Sequence, residues 1–286
     1  MIHSMTGFGK ASVQLPLKKM TIEIKSLNSK SLDLSVRLTQ QYKEKELEVR
    51  NLIARRLERG KVECSLYIEV TGEETSSTIN APIVKAYIQQ MKNIIPDADE
   101  TELMKMAVRM PDALKVERLE MNEEEWSEIQ KILQQALDNI VAFRRQEGEK
   151  MQIDFENRIS NIRQLVAEVV TYENDRIDAV RERLRQGLEE LKTNVDENRF
   201  EQELIYYIEK LDINEEKVRL INHLDYFIET MNGTEANGRK LGFIAQEMGR
   251  EINTMGSKSN HAQMQKCVVQ MKDELEKIKE QVLNIL

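Results

Sequence analysis

Gly238-Arg239-Lys240-Leu241-Gly242-Phe243-Ile244-Ala245-Gln246-Glu247-Met248-Gly249-Arg250-Glu251-Ile252-Asn253-Thr254-Met255-Gly256-Ser257-Lys258-Ser259-Asn260 is the stretch from which the rest of the chain is read. Leu241, Ile244, Met248 and Met255 recur at steps of three, four and seven, the spacing of one apolar stripe on a helix. Glu247, Glu251, Thr254 and Lys258 follow at four, three and four, so they stack along a second face. Two carboxylates one turn apart can hold a divalent cation or share a proton. They can equally form a solvated face in which Arg250 makes an ion pair. The amide, hydroxyl, guanidinium and ammonium groups packed into the same three turns speak for a site.

Upstream, Asp212-Ile213-Asn214-Glu215-Glu216-Lys217-Val218-Arg219-Leu220-Ile221-Asn222-His223-Leu224 repeats the pattern. Asp212, Glu216, Arg219 and His223 fall at four, three and four on one helical stripe, with Leu220 and Leu224 turned to a core. A salt-bridge ladder with an incidental His is one reading. The short connection Asn232-Gly233-Thr234-Glu235-Ala236-Asn237-Gly238 gives another, because it makes the two helices antiparallel neighbours. Their polar stripes would then face each other and bring Asp212, Glu216, His223, Glu247 and Glu251 into one cleft. Carboxylates with a single imidazole form a hard, oxygen-rich donor set suited to Mg²⁺ or Mn²⁺ rather than to a closed zinc site.

Composition bounds these readings. A chain of 286 residues can bury a substantial core and hold roughly two domains. With 32% charged and 5% aromatic residues, long helices are favoured over a β-rich sandwich. No run of eighteen apolar residues and no apolar leader core occurs, so neither a membrane partner nor a secretory route is expected. The two cysteines, Cys64 and Cys267, lack metal-ligand spacing and read as reduced thiols of a cytoplasmic protein. Net charge is −8, but residues 1–72 hold thirteen Lys and Arg against eight Asp and Glu, about +5. A basic N-terminal unit on an acidic helical body can steer a phosphate backbone locally.

The first 70 residues read as strands around one helix. Ile2 to Leu15, Met20 to Lys25, Leu32 to Leu38 and Val62 to Val70 carry β-type patterning, and Lys43 to Leu57 turns helical until Gly60 stops it. After the polar break Thr71–Ser77, helices are expected at 82–95, 100–109 and 123–145, interrupted by Pro96 and Pro111. From Glu147 to Leu191, apolar residues from Ile159 onward recur at three and four, as in a long helix or antiparallel pair. The expected fold is α+β: an N-terminal strand-rich α+β domain with trailing helices over 1–150, a long helical arm over 151–200, and a mostly α C-terminal region over 201–286 carrying the chemistry.

Several of these stretches together resemble the YicC/YloC family of bacterial endoribonucleases. They are Met5-Thr6-Gly7-Phe8-Gly9, Glu23-Ile24-Lys25-Ser26-Leu27-Asn28 with Lys30 and Leu32-Asp33, and Arg59-Gly60-Lys61-Val62. Asp212-Ile213 with Glu215, Glu216 and Arg219, and the run from Gln246 to Lys258, complete the resemblance. It implies metal-dependent cleavage of RNA by a hexamer, with the chemistry in the C-terminal helices. It also implies roles for Asp212, Glu216, His223, Glu247, Arg250 and Glu251.

The chemistry expected of such a set is concrete. A Mn²⁺ or Mg²⁺ ion held by some of Asp212, Glu216, His223, Glu247 and Glu251 would polarise a phosphoryl oxygen. Arg250 and Lys258 would neutralise charge on the phosphorane, and His223 would be ligand or general acid/base. Lys25, Asn28, Lys30 and Arg37, around the polar strand connection, are candidate RNA contacts, as are Arg239 and Lys240 at a helix start. With few aromatics, single-strand or shape recognition is expected rather than a base code. The alternative is a non-catalytic RNA-binding or adaptor oligomer whose acidic stripes build interfaces. A small-nucleotide hydrolase is disfavoured, because no Gly-rich phosphate loop of the Walker type is present.

Overall fold

Alternation of inward and outward residues builds the first unit. β2 (Lys18–Leu27) buries Met20, Ile22, Ile24 and Ser26 and turns the residues between them outward. β1 (Gly7–Gln14) and β4 (Gly60–Val70) pair antiparallel on either side of it, and β3 (Leu32–Arg37) pairs parallel with β4. The sheet order is β1-β2-β4-β3, and α1 (Glu46–Arg56) makes the crossover that a parallel pair requires. The computed structural model describes residues 2–71, 78–115, 122–190, 197–233 and 238–286. Residues 72–77 of the expected polar break, Leu191, and Thr234 to Asn237 of the helix connection lie outside these. A satellite of β5 (Thr78–Ile79), β6 (Leu114–Lys115), α2 (Ala81–Ile94) and α3 (Glu100–Ala107) encloses Val84, Ala107 and Ala113.

The helices expected at 123–145 and beyond 147 are one. α4 runs unbroken over Glu123–Thr171, 49 residues, before α5 (Glu173–Glu190) and α6 (Glu197–Lys210). It serves two cores in succession. Trp126, Ile129, Leu133, Ala136, Leu137 and Ile140 pack on the sheet with Met20, Ile22, Ile24 and Val62. Met151, Phe155, Ile159, Ile162, Val166 and Val169 enter a second core with α7 (Asn214–Met231), α8 (Gly238–Lys258) and α9 (Ala262–Val282). Residues 151–171 of the expected arm, about two fifths of it, therefore lie inside this bundle. Fully burying one such aliphatic or aromatic side chain stabilises by roughly 1.5–3 kcal/mol, so both halves of α4 are held tightly.

Close backbone approach joins α4 to the sheet. A Cβ on Gly9 would stand 2.1 Å from the Ala136 carbonyl oxygen, and one on Gly148 would stand 2.1 Å from that of Ile2. Between those contacts, Arg144 occupies a position of the apolar stripe and is 3% exposed. It donates to the carbonyls of Met5 and Arg59, both at 3.1 Å, and to the Ser26 hydroxyl. Burial pushes its guanidinium down to about 10. Gly60 (φ 126°) accommodates this knot, where any side chain would be strained and would meet Ser26.

The two ends of the described chain meet at the same place. Met5 N–H donates to Asn284 C=O at 2.7 Å, Leu286 N–H to His3 C=O at 3.0 Å, and the Asn28 amide to Leu283 C=O at 2.7 Å. The N-terminal motifs of the sequence thus work as the joint between sheet and bundle. Both cysteines are buried free thiols; burial pushes Cys64 up to about 12 and raises Cys267 as well. Among the described residues, no helix is long and apolar enough to cross a membrane.

Candidate active site

The quoted stretch forms α8 as its stripe requires: Leu241, Met248, Ile252 and Met255 are each 0% exposed and Ile244 is 5%. α7 buries Leu220, Leu224 and Phe227 against it, and the two helices pack as antiparallel neighbours. Two contacts fix their register. At one end Lys258 Nζ lies 2.7 Å from Glu216 Oε1, and at the other Lys240 Nζ sits 4.8 Å from the centroid of the Tyr226 ring. Seven residues are nearly two full turns, about 10.5 Å. Seven steps inward from the Glu216–Lys258 contact pair His223 with Glu251, and three steps inward from the Tyr226–Lys240 contact pair it with Phe243, so His223 stands between those levels, nearest Glu247. His223, Glu251 and, one turn further, Glu247 therefore lie between the two fixed contacts, all three half-buried.

The five expected metal ligands do not converge on one point. Among the described residues, no group of three or more His, Cys, Asp and Glu comes close enough to hold an ion. The reason is geometric: Asp212 precedes α7 and so leaves the expected stripe, and the stripe itself extends along the helix, Glu216 to His223 being seven residues, about 10.5 Å. Asp212 is exposed, and its carboxylate accepts from Asn214 N–H at 3.0 Å at the start of α7. Glu247 pairs with Arg250 at 3.0 Å on the exposed side of α8.

Glu216 is the buried member, 6% exposed, and its Oε2 has no hydrogen-bond partner among the described residues. Its neighbourhood is cationic. Lys258 holds Oε1, and the buried Arg176 donates to the carbonyls of Leu211 and Lys258 near the end of α8. A divalent ion is disfavoured beside those charges. Among the described residues no Lys or Arg side chain pairs with His223 or Glu251, and the Glu247–Arg250 pair is an exposed one that separates at little cost. A Mg²⁺ or Mn²⁺ ion needs only one to three protein ligands and completes its shell with water. On that test an ion fits here only through one or two of these side chains with water completing its shell, Glu247 and Glu251 being the carboxylates available, while Glu216 and Asp212 serve the architecture.

Lys258 is committed to Glu216, so its removal leaves a buried carboxylate uncompensated. Lys258→Met is expected to lower the unfolding free energy by about 2 kcal/mol, with most of it recovered in the Glu216→Gln/Lys258→Met double variant. Urea denaturation checks this; a single variant as stable as the parent contradicts it.

The expected RNA contacts divide. Lys25, Lys30 and Arg37 are exposed, Lys25 lying 3.7 Å from Glu23 and over the Phe8 ring at 5.9 Å. Asn28 instead spends its amide on the C-terminal segment. Arg239 and Lys240, at the start of α8, line a cleft with Arg59, a residue brought from the strand unit. No local pattern pairs Arg59 with Arg239, since 180 positions separate them. Arg144 and Arg176 were also unassigned by sequence; the signal for Arg144 is a charge at a buried position of a 3–4 stripe.

The geometry above can be set beside known proteins. A model of the endoribonuclease YicC-like N-terminal region matches residues 2–153, and one of the endoribonuclease YicC-like C-terminal region matches residues 169–286. The chain is 33% identical over 293 residues to a probable endoribonuclease YicC of Clostridioides difficile, with all of both chains covered. It is 32% identical over 291 residues to a probable endoribonuclease YicC of Haemophilus influenzae, again over the whole of both.

Proposed function

Because this chain belongs to the YicC-like endoribonuclease family, we propose that it cleaves phosphodiester bonds within RNA, using the groove where α7 faces α8. The observation that supports this reading is the register of those helices, in which His223 of α7 lies opposite the Glu247–Glu251 turn of α8 between two fixed contacts. Glu251 or Glu247, or both, would hold a divalent ion whose shell water completes, and the ion would supply Lewis-acid polarisation of the scissile phosphate. His223 is the group able to move a proton at the attacked or leaving oxygen. Arg250, 69% exposed at its side chain and held among the described residues by Glu247, can turn its planar donor fork onto the phosphate and stabilise the charge that develops there. The Glu216–Lys258 pair and Arg176 fix the far end of the groove, so that the first three groups keep their spacing.

The same reading includes assembly into a homo-oligomer, a hexamer, acting in RNA turnover in the cytoplasm. Support for assembly comes from apolar side chains on the satellite unit, with Ile94 79% and Ile95 61% exposed. The purified chain is expected to cut a labelled structured RNA internally, to stop when EDTA is in excess, and to resume when Mn²⁺ is restored. Light scattering on that preparation should give a multiple of 33.4 kDa. RNA bound but never cut, with or without Mn²⁺, would contradict the catalytic reading in favour of an RNA-binding adaptor. A 33.4 kDa monomer at micromolar concentration would remove the assembly.

A further inference from the structure

The cleft at the joint of sheet and bundle has a volume of about 480 Å³ and is lined by Arg59, Arg239, Lys240 and Phe243, with Glu58 and Leu286 at its edge. Its cations are pre-positioned. Arg59 donates through Nε to the Ser29 carbonyl at 2.9 Å, while its own carbonyl is gripped by Arg144. Lys240 rests on the Tyr226 ring. Phe243 is 62% exposed beside them, although the chain has only six Phe and buries others, such as Phe155 and Phe227, completely. An uncovered ring flanked by fixed guanidinium and ammonium groups suits an unstacked base whose flanking phosphates meet the cations.

We infer that this cleft is the seat of a single-stranded RNA segment, one base stacking on Phe243 and the adjoining phosphates held by Arg59, Arg239 and Lys240. The inference rests on the proposed RNA-cleaving function and places the substrate across both units of the chain. A base-paired helix does not fit, because its bases already stack on each other and a cleft of this size admits about one nucleotide. Lys240 and Glu251 share α8, eleven residues or about 16 Å apart along its axis. A strand anchored in the cleft can therefore run along α8 to the α7–α8 groove. Glu58 sits at the rim and restricts where phosphates can lie.

The test is fluorescence anisotropy of a 5′-labelled unstructured RNA oligonucleotide on the full-length chain in EDTA, where binding is read without cleavage. Arg239→Gln/Lys240→Gln is expected to raise Kd about tenfold and to flatten the log–log salt slope by roughly 1.4, at about 0.7 per lost contact to a single strand. Phe243→Ala is expected to raise Kd at least about fivefold with the slope unchanged, the signature of lost stacking. Arg239 and Phe243 are exposed, and because Lys240 also rests on Tyr226, circular dichroism and thermal unfolding check that the α7–α8 packing is kept, with Arg239→Gln alone as the variant that spares that contact. Lys105→Gln/Lys131→Gln, which removes two exposed cations elsewhere, should bind as the parent does. A perfectly paired duplex should compete weakly.

Cleft variants with parental Kd and slope would overturn the inference while leaving cleavage in the α7–α8 groove untouched. So would an equal loss in the Lys105/Lys131 control, which would reduce the effect to bulk charge. If Phe243→Ala changes the mass in light scattering and not RNA affinity, the cleft seats a second copy of the chain and the inference falls. A parent chain that binds RNA through these residues but never cuts it supports the cleft and rejects the proposed function.

Discussion

Glu251→Gln is expected to lower the single-turnover cleavage rate at saturating RNA by roughly 100-fold or more, with Kd for RNA within about twofold of the parent. The substitution keeps volume and hydrogen-bonding reach but removes the charge. Glu251 is half-buried and has no ion pair among the described residues, so no such partner is lost. That separation matters, because Glu216→Gln would confound chemistry with the buried Lys258 contact. The rate should also stay low when Mn²⁺ is limiting. A variant that cuts at the parental rate in limiting Mn²⁺ would move the chemistry out of the α7–α8 groove.

Gly9→Ala is expected to destabilise the chain by about 4 kcal/mol or more, enough to leave much of it unfolded. The added Cβ would meet the Ala136 carbonyl at 2.1 Å and the Ile140 backbone nitrogen at 2.8 Å. Neither neighbour can give way without moving α4, whose first half packs along β1 and β2. Gly187→Ala is the matched comparison, because among the described residues nothing beyond the helix's own backbone lies within 4 Å of its would-be Cβ on α5. It should be neutral or stabilising by up to about 1 kcal/mol, from helix propensity alone. Thermal and urea unfolding of the two variants read the difference; equal stabilities would mean that β1 and α4 are not packed backbone to backbone.

What was legible in the sequence follows from what is local. The strand alternation of Met20 to Lys25 and the stripe Leu241-Ile244-Met248-Met255 reach the structure unchanged, because periodicity records which face is buried. The length of α4 was not legible. Gly148 is a weak helix residue, and a break near it is the natural local reading; its role is to admit the Ile2 carbonyl, a partner far away in sequence. The turn between α4 and α5 at Tyr172 carries no Pro or Gly to announce it.

The site shows the same divide. Spacing alone placed Glu247 and Glu251 on one face of α8, and Glu216 and His223 on one face of α7. It did not reveal that Lys258 belongs to Glu216, that Asn28 binds the C-terminal segment, or that Arg59 reaches Arg239. Those are tertiary contacts between residues 42, 255 and 180 positions apart.

The central claim is that His223 and Glu251 work as one unit between α7 and α8, and a double-mutant cycle on the saturated single-turnover rate addresses it most directly. His223→Gln, Glu251→Gln and the double variant would be compared with the parent at fixed Mn²⁺, with RNA affinity measured alongside. Groups that act together lose their contribution once, so the double variant should be no more than about threefold slower than the slower single variant. Losses that multiply, or a His223→Gln variant that cuts at the parental rate, would contradict the account.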